Sequence, residues 1–235
     1  MAPHPLDHPI WHALTTRQRA IAEGDGLAWR YPAEFAPFAA TVEPSPAGFA
    51  ALRRLITPTA PIAMFTVDPI ESPEGFGVLV AKTVDQMIAP STMHRSPTGS
   101  SLATSLVPLG ARDVPDMLEL VDLTKPGPFG IRTYELGSFL GIRVDGRLVG
   151  MAGERMKLNG FTEITEITAV STHPAYRGRG YARALLAGVS HAVLARGEVP
   201  FLHVFSDNTS AIALYRGSGF TLRRQLHVTV LTTRV

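Results

Sequence analysis

Residues 169–183 read Ala-Val-Ser-Thr-His-Pro-Ala-Tyr-Arg-Gly-Arg-Gly-Tyr-Ala-Arg, and this stretch decides the fold. Thr162 to Thr172 has the pattern of a strand, and a helix is predicted from about Gly180 to Arg196 with Tyr181, Leu185, Val189 and Ala192 on one face. A strand, a glycine-rich turn and a helix start make an anion site. Glycines let the backbone approach the ligand, the free N–H groups of the first helical turn point at it, and the helix dipole favours negative charge. Arg177, Arg179 and Arg183 crowd the positive end of that helix. Cations there are disfavoured by roughly 0.3–1 kcal/mol each. A polyanionic ligand reverses the sign; the alternative is three arginines reaching into water.

Outward on the N-terminal side, Asp145-Gly146 joins strand patterns at Phe139 to Val144 and Leu148 to Met156, and Leu158-Asn159-Gly160 turns into the long strand. Before them come Leu106, a helix capped by Asp113 that runs to about Leu123, and the loop Lys125-Pro-Gly-Pro-Phe-Gly130. Three antiparallel strands therefore precede the glycine loop, where a dinucleotide fold needs a parallel unit. Arg183 stands where a third glycine belongs, although Glu198 lies at the spacing of a ribose carboxylate. No Gly-Lys-Ser/Thr triplet makes a nucleoside-triphosphate loop.

Arg177-x-x-Gly180-x-Ala182 resembles the acyl-CoA pyrophosphate loop of the GNAT superfamily of N-acyltransferases. Val-x-Thr-x-Pro before the loop, the strand Phe201-Leu-His-Val-Phe205, and Asn208-x-x-Ala211-x-x-Leu214-Tyr215-x-x-x-Gly219-Phe220 stand in register with it, so the resemblance covers about 106–233. The run from Arg132 to Phe220 further resembles a bacterial subgroup of acetyltransferases with an extra N-terminal region. The resemblance implies an α/β fold: a mixed, largely antiparallel twisted sheet flanked by helices. It also implies acetyl-CoA as donor, no metal, and direct transfer to a primary amine in a ternary complex. The rival readings are a non-catalytic acyl-CoA-binding regulatory protein and a nucleotide-dependent enzyme.

By this resemblance the donor is held by Val170, Ser171, Thr172, Arg177, Gly178, Arg179, Gly180, Tyr181, Ala182, Asn208 and Ala211, with the Val170 N–H on the thioester carbonyl. Tyr215 is the candidate acid for the departing sulfur; the alternative is core packing with Ala211 and Ile212. Glu166, eleven residues before Arg177, is the candidate base. Strand alternation places it on one face with Thr168, Val170 and Thr172, unless a bulge intervenes. Burial beside apolar groups is expected to raise its pKa; the alternative is a solvated carboxylate. Glu135 and Glu154 are its rivals. Tyr134 and Glu135 lie where the acceptor loop is expected, as substrate-binding candidates.

The N-terminal ninety residues carry no motif tied to chemistry. Their patterns are a helix over Ile10 to Ala22, short strands at Leu27 to Tyr31 and Phe38 to Val42, a helix over Ala47 to Ile56, and strands at Ile62 to Val67 and Gly77 to Ala81. The expected organisation is a smaller α/β lobe over 1–90, a degenerate acyltransferase half being one form of it, a linker over 91–105, and the catalytic domain over 106–235. His4, His8 and His12 have helical spacing, but Pro5 and Pro9 interrupt it, and a flexible tail is expected there. His203 reads as a satisfied core histidine, and Trp11 and Trp29 as core.

Composition narrows the rest. The chain has 235 residues, 45% hydrophobic and 18% charged, so it can bury a sizeable core. It has no cysteine, which excludes disulfides, thiolate metal sites and a cysteine nucleophile. With 22 basic and 20 acidic residues the net charge is +2, which gives no reason to expect nucleic acid. No apolar run approaches the roughly 18 residues of a membrane span, and the N-terminus has no signal-peptide pattern. A cytoplasmic enzyme acting on a small-molecule or protein/peptide amine is expected. Oligomeric state stays open, with a homodimer implied by the resemblance alone.

Overall fold

The computed structural model describes residues 4–56, 60–90, 106–160 and 162–234. The linker expected over 91–105 lies outside the described residues. Eight strands form one sheet: β4 (Ile62–Thr66), β11 (Thr221–Thr233), β5 (Phe76–Ile88), β10 (Val199–Phe205), β9 (Glu163–Thr172), β8 (Arg147–Asn159), β7 (Phe139–Val144) and β6 (Leu106–Leu109), in that spatial order. All neighbours are antiparallel except β9 and β10. Three short strands, β1 (Glu23–Gly24), β2 (Ala28–Arg30) and β3 (Ala39–Thr41), form a small separate sheet.

This order places two strands from the N-terminal ninety residues in the main sheet. β5 lies inside the main sheet, bonded to β11 on one side and β10 on the other, and β4 is its edge. The N-terminal part thus supplies two of the eight strands.

Helices cover both faces. α4 (Tyr181–Ala195) and α5 (Thr209–Arg216) bury Leu185, Leu186, Val189, Val193 and Ile212 against Ala152, Ile167, Leu202 and Val204. The opposite face carries α1 (Pro9–Thr15), whose Ile10 and Leu14 meet Met156, Leu158, Ile164 and Phe201. α3 (Val114–Thr124) lies on that face too, packing Met117 and Leu120 on Leu148, Met151 and Ala169. Neighbouring residues such as Phe201 and Leu202 belong to opposite clusters, as the two-residue period of a strand requires. α2 (Pro46–Leu55) starts at Ser45, whose hydroxyl accepts the Gly48 N–H at 3.2 Å, and packs with β4 and the end of β11.

Two N-terminal expectations change. Residues 4–15 are not a loose tail: Leu6, Ile10 and Leu14 are fully buried, and a short 3-10 turn at Pro5–Asp7 leads into α1. The helix expected to Ala22 stops at Thr15. Beyond it Gln18 turns inward, its amide donating to the Arg155 carbonyl at 2.8 Å and its oxygen accepting Tyr31 Oη at 2.6 Å. A buried glutamine satisfied by distant partners outweighs the continuation of a helical pattern.

Candidate active site

The glycine loop forms as the sequence predicts. His173 Nδ1 accepts the Ala175 N–H at 3.2 Å, and a 3-10 turn over Pro174–Tyr176 follows. Gly178 and Gly180 then take φ of 76° and 80°, the left-handed region that a side chain disfavours. Gly180 precedes α4 and has no side chain to cap it, and the first turn holds no acidic residue. The first intrahelical bond is Ala184 N–H to the Gly180 carbonyl at 3.0 Å, so the N–H groups of Tyr181, Ala182 and Arg183 precede any helical partner. Among the described residues, Arg177, Arg179 and Arg183 make no ion pair. Two of these cations, Arg177 and Arg183, stand beside the uncapped donors, and with nothing near a Cβ placed on Gly178 the loop fits a pyrophosphate.

The loop opens into a cavity of about 970 Å³. β9 and β10 pair only from Val199↔Ile164 to Phe201↔Glu166 and then separate, β9 staying on β8 and β10 on β5. The gap between them is the middle of the cavity. One side is lined by Val170, Ser171, Thr172, Arg177, Gly178, Gly180, Tyr181, Ala182, Asn208, Ala211 and Tyr215. Eleven of the residues singled out in the sequence thus meet on one wall. Arg179 is not on it; its guanidinium lies 5.0 Å from the Tyr176 ring centre.

A bulge sits at the gap. β9 carries one extra residue between Thr168 and Ser171, and Ala169 takes φ of 54°. Ala169 packs on α3, whereas Val170 packs with Ile167 and Leu185 on the α4 side. The shared face expected for Glu166, Thr168, Val170 and Thr172 is therefore broken, and Val170 lies opposite Glu166. Val170 has no register partner on β8.

Tyr215 is buried, 8% exposed, and lines the cavity. Asn208 holds its helix: the side-chain oxygen accepts the Ala211 N–H at 3.2 Å. Burial pushes the Tyr215 phenol up to about 12, so it is protonated at neutral pH. Among the described residues its hydroxyl has no hydrogen-bond partner, which leaves it available to a ligand.

Glu166 differs from its expectation. It is fully buried and is not on the cavity wall. Arg155 Nε donates to Oε2 at 2.8 Å, Arg155 Nη2 to Oε1 at 2.9 Å, and His203 Nδ1 lies 2.8 Å from Oε1. Burial alone raises a carboxyl, but the Arg155 guanidinium and the His203 hydrogen bond outweigh it and hold Glu166 at about 2. The expected upward shift is thus reversed, because the carboxylate meets a buried cation instead of apolar side chains. A second irregularity, between Glu154 and Lys157 on β8, turns Arg155 onto this face. Arg155 and His203 themselves line the cavity.

His203 is satisfied at both nitrogens, as the sequence reading has it. Gln86 Nε2 lies 3.0 Å from its Nε2, and the Gln86 oxygen accepts Arg223 Nη1 at 2.8 Å. With its oxygen so engaged, the Gln86 amide presents N–H to His203 Nε2, and Nδ1 faces Glu166. The rival carboxylates are also occupied. Glu154 pairs with Lys157 at 2.9 Å and Arg196 at 3.0 Å, and Glu135 pairs with Arg132 at 2.7 Å. Tyr134 packs against the α3 cluster, and neither Tyr134 nor Glu135 reaches the cavity. The far end of the cavity is lined instead by Phe38, Ala63, Phe65, Val84, Val228 and Val230, none singled out by the sequence, and by the loop 124–128.

The fold and the glycine loop define an acyltransferase, and comparison with known proteins agrees. The pattern of the acetyltransferase (GNAT) family matches residues 114–220. The N-alpha-acetyltransferase RimI of Mycobacterium tuberculosis is 41% identical over 110 residues, covering 43% of this chain and 68% of that protein. The crystal structure of a GNAT-family protein from Novosphingobium aromaticivorans superposes with a TM-score of 0.88 at 37% identity, covering 99% of this chain and all of the other. A GCN5-related N-acetyltransferase from Kribbella flavida shares the fold at a TM-score of 0.58 and 13% identity, over 96% of this chain and 92% of its own. The chain belongs to the GNAT acetyltransferase family and is an acyltransferase. Family membership sets aside the binding-only and nucleotide-dependent readings.

Proposed function

We propose that the protein moves an acetyl group from acetyl-CoA to a primary amine by direct attack within a ternary complex. The observation that carries this reading is the gap between β9 and β10. It joins the anion-binding loop on one side to a second, largely apolar chamber on the other. Acetyl-CoA supplies the activated acetyl group. Arg177, Arg183 and the N–H groups at the start of α4 hold its pyrophosphate, and β9 residues Val170 to Thr172 run beside the pantetheine as an added strand does. The Val170 N–H, released from the ladder by the bulge, polarises the thioester carbonyl.

As the amine attacks, the N–C bond forms, the C–S bond breaks, and the amine loses one proton. Among the described residues no carboxylate lines the cavity to take it, and both nitrogens of His203 are engaged. The amine therefore reacts as its own neutral fraction and releases the proton to water. Tyr215 donates a hydrogen bond to the departing thiolate. A phenol near 12 is too weak an acid to give up its proton fully, so it stabilises the sulfur and the proton arrives from solvent. Glu166 fixes Arg155 and His203 and is a positioning residue. Acetyl-CoA is a cytosolic metabolite, so a cytoplasmic site of action belongs to the same proposal.

Thermal stabilisation by acetyl-CoA, with ATP and NAD as controls, tests the donor. A ligand at about a hundred times its Kd adds about 2.7 kcal/mol, which is roughly 5–10 °C for a chain of this size. Thiol release with an amine panel tests transfer. No stabilisation by acetyl-CoA refutes the donor assignment.

A further inference from the structure

The apolar wall of the acceptor chamber comes from outside the segment that matches the family pattern. Phe38, Ala63, Phe65, Val84, Val228 and Val230 form its apolar wall. All six lie outside residues 114–220, the segment that matches the family pattern. The loop arginines and Tyr215 lie inside it. Phe38 and Ala63 come together because residue 38 bridges residue 63 on the edge strand β4, and Val84, Val228 and Val230 stand on β5 and β11 beside it.

Three aromatic rings follow one another along this wall. Phe38 and Phe65 have ring centres 5.4 Å apart, and Phe65 and His203 4.5 Å apart. Rings so arranged favour another aromatic group by offset or edge contact. The charges point the same way. Among the described residues the charged groups lining the cavity are Lys125, Arg155, Arg177 and Arg183, with no Asp or Glu. Arg155 lies 4.5 Å from the Phe38 ring centre, its charge matched by Glu166 behind it. A second ammonium on the acceptor would meet this cation and find no counter-ion.

We infer that the acceptor is an arylalkyl amine with a single ionisable nitrogen, its ring seated among Phe38, Phe65 and Val230, and not a polyamine. This rests on the acetyl-transfer reading for its chemistry, but the chamber is testable by binding alone. The protein loaded with CoA is titrated calorimetrically with phenethylamine, spermidine and an alanine-initiated peptide. Phenethylamine binds about tenfold or more tightly than either rival, the effect of one well-packed ring. Phe65→Ala loses that margin, while CoA affinity, read by a separate titration of the free protein with CoA, stays unchanged. Val230→Glu, at a partly exposed position, inverts the order in favour of spermidine. Equal or tighter binding of spermidine or the peptide overturns the inference, as does no binding of any amine or an unchanged order in both variants. Thiol release is measured separately. The expected binding order without thiol release refutes the transfer reading and leaves the chamber assignment standing.

Discussion

Replacing Glu166 with glutamine separates a catalytic base from a positioning residue. The carboxylate is held at about 2 instead of its ordinary 4.5. At about 1.4 kcal/mol for each tenfold, that difference corresponds to about 3 kcal/mol of stability. The sign follows from the downward shift. The contribution is complete above the unfolded value and is lost as the pH falls toward 2. Removing the charge also leaves Arg155 buried without its partner, a change that costs about 3–5 kcal/mol in comparable sites. For a chain of this size the melting temperature at pH 7 falls by roughly 6–20 °C. The deficit against the parent shrinks as the pH is lowered below 4.5. Activity, measured by thiol release at a temperature where both proteins are folded, falls modestly, and kcat/KM keeps its pH dependence between 5 and 8. Scanning fluorimetry and a pH–rate profile provide the readings. A variant that melts within about 2 °C of the parent but loses about a hundredfold in kcat, together with an acidic limb of the profile, refutes the positioning role and restores Glu166 as base.

Other perturbations reach the remaining parts of the site. Gly180→Asp places a carboxylate at the uncapped start of α4 and at a φ of 80°; it abolishes stabilisation by acetyl-CoA while the protein remains folded by circular dichroism. Tyr215→Phe lowers kcat about ten- to a hundredfold and leaves the KM for acetyl-CoA within about twofold, because the phenol acts on the departing sulfur and not on the bound donor. Ala169→Val puts a β-branched side chain at φ of 54° and costs about 1–3 kcal/mol by thermal melting; Ala169→Gly keeps both stability and rate. Across a series of amines, the pH at which kcat/KM levels off tracks the acceptor's own pKa, the outcome expected of the proposed attack by the neutral amine.

The donor half of the site was legible because its chemistry is local. Gly178, Gly180 and Asn208 act through their own backbone or the next turn, so a short stretch of sequence contains the whole device. The Asp145-Gly146 hairpin is legible for the same reason, with φ of 48° and 80°. The acceptor half is assembled from distant segments. Gln86, fully buried, and Asp85 break the apolar pattern of β5, so its second half does not read as a strand. Their partners lie far along the chain: Ser206 donates to Asp85 at 2.6 Å, and Arg223 to Gln86 at 2.8 Å. Arg155 reads as a solvent-facing strand residue until Glu166 is seen opposite it. The bulge left no sign either, since alanine at a left-handed position carries none of the signal a glycine does.

The spatial order β4-β11-β5 also bears on how the chain is made. β11 is translated after the other described strands, yet it separates two strands translated early. Until it emerges from the ribosome, β4 has no partner within the eight-stranded sheet and β5 can pair only with β10. The apolar faces of Phe65, Val84 and their neighbours must wait through most of translation, which prolongs the exposure of apolar surface in the nascent N-terminal part.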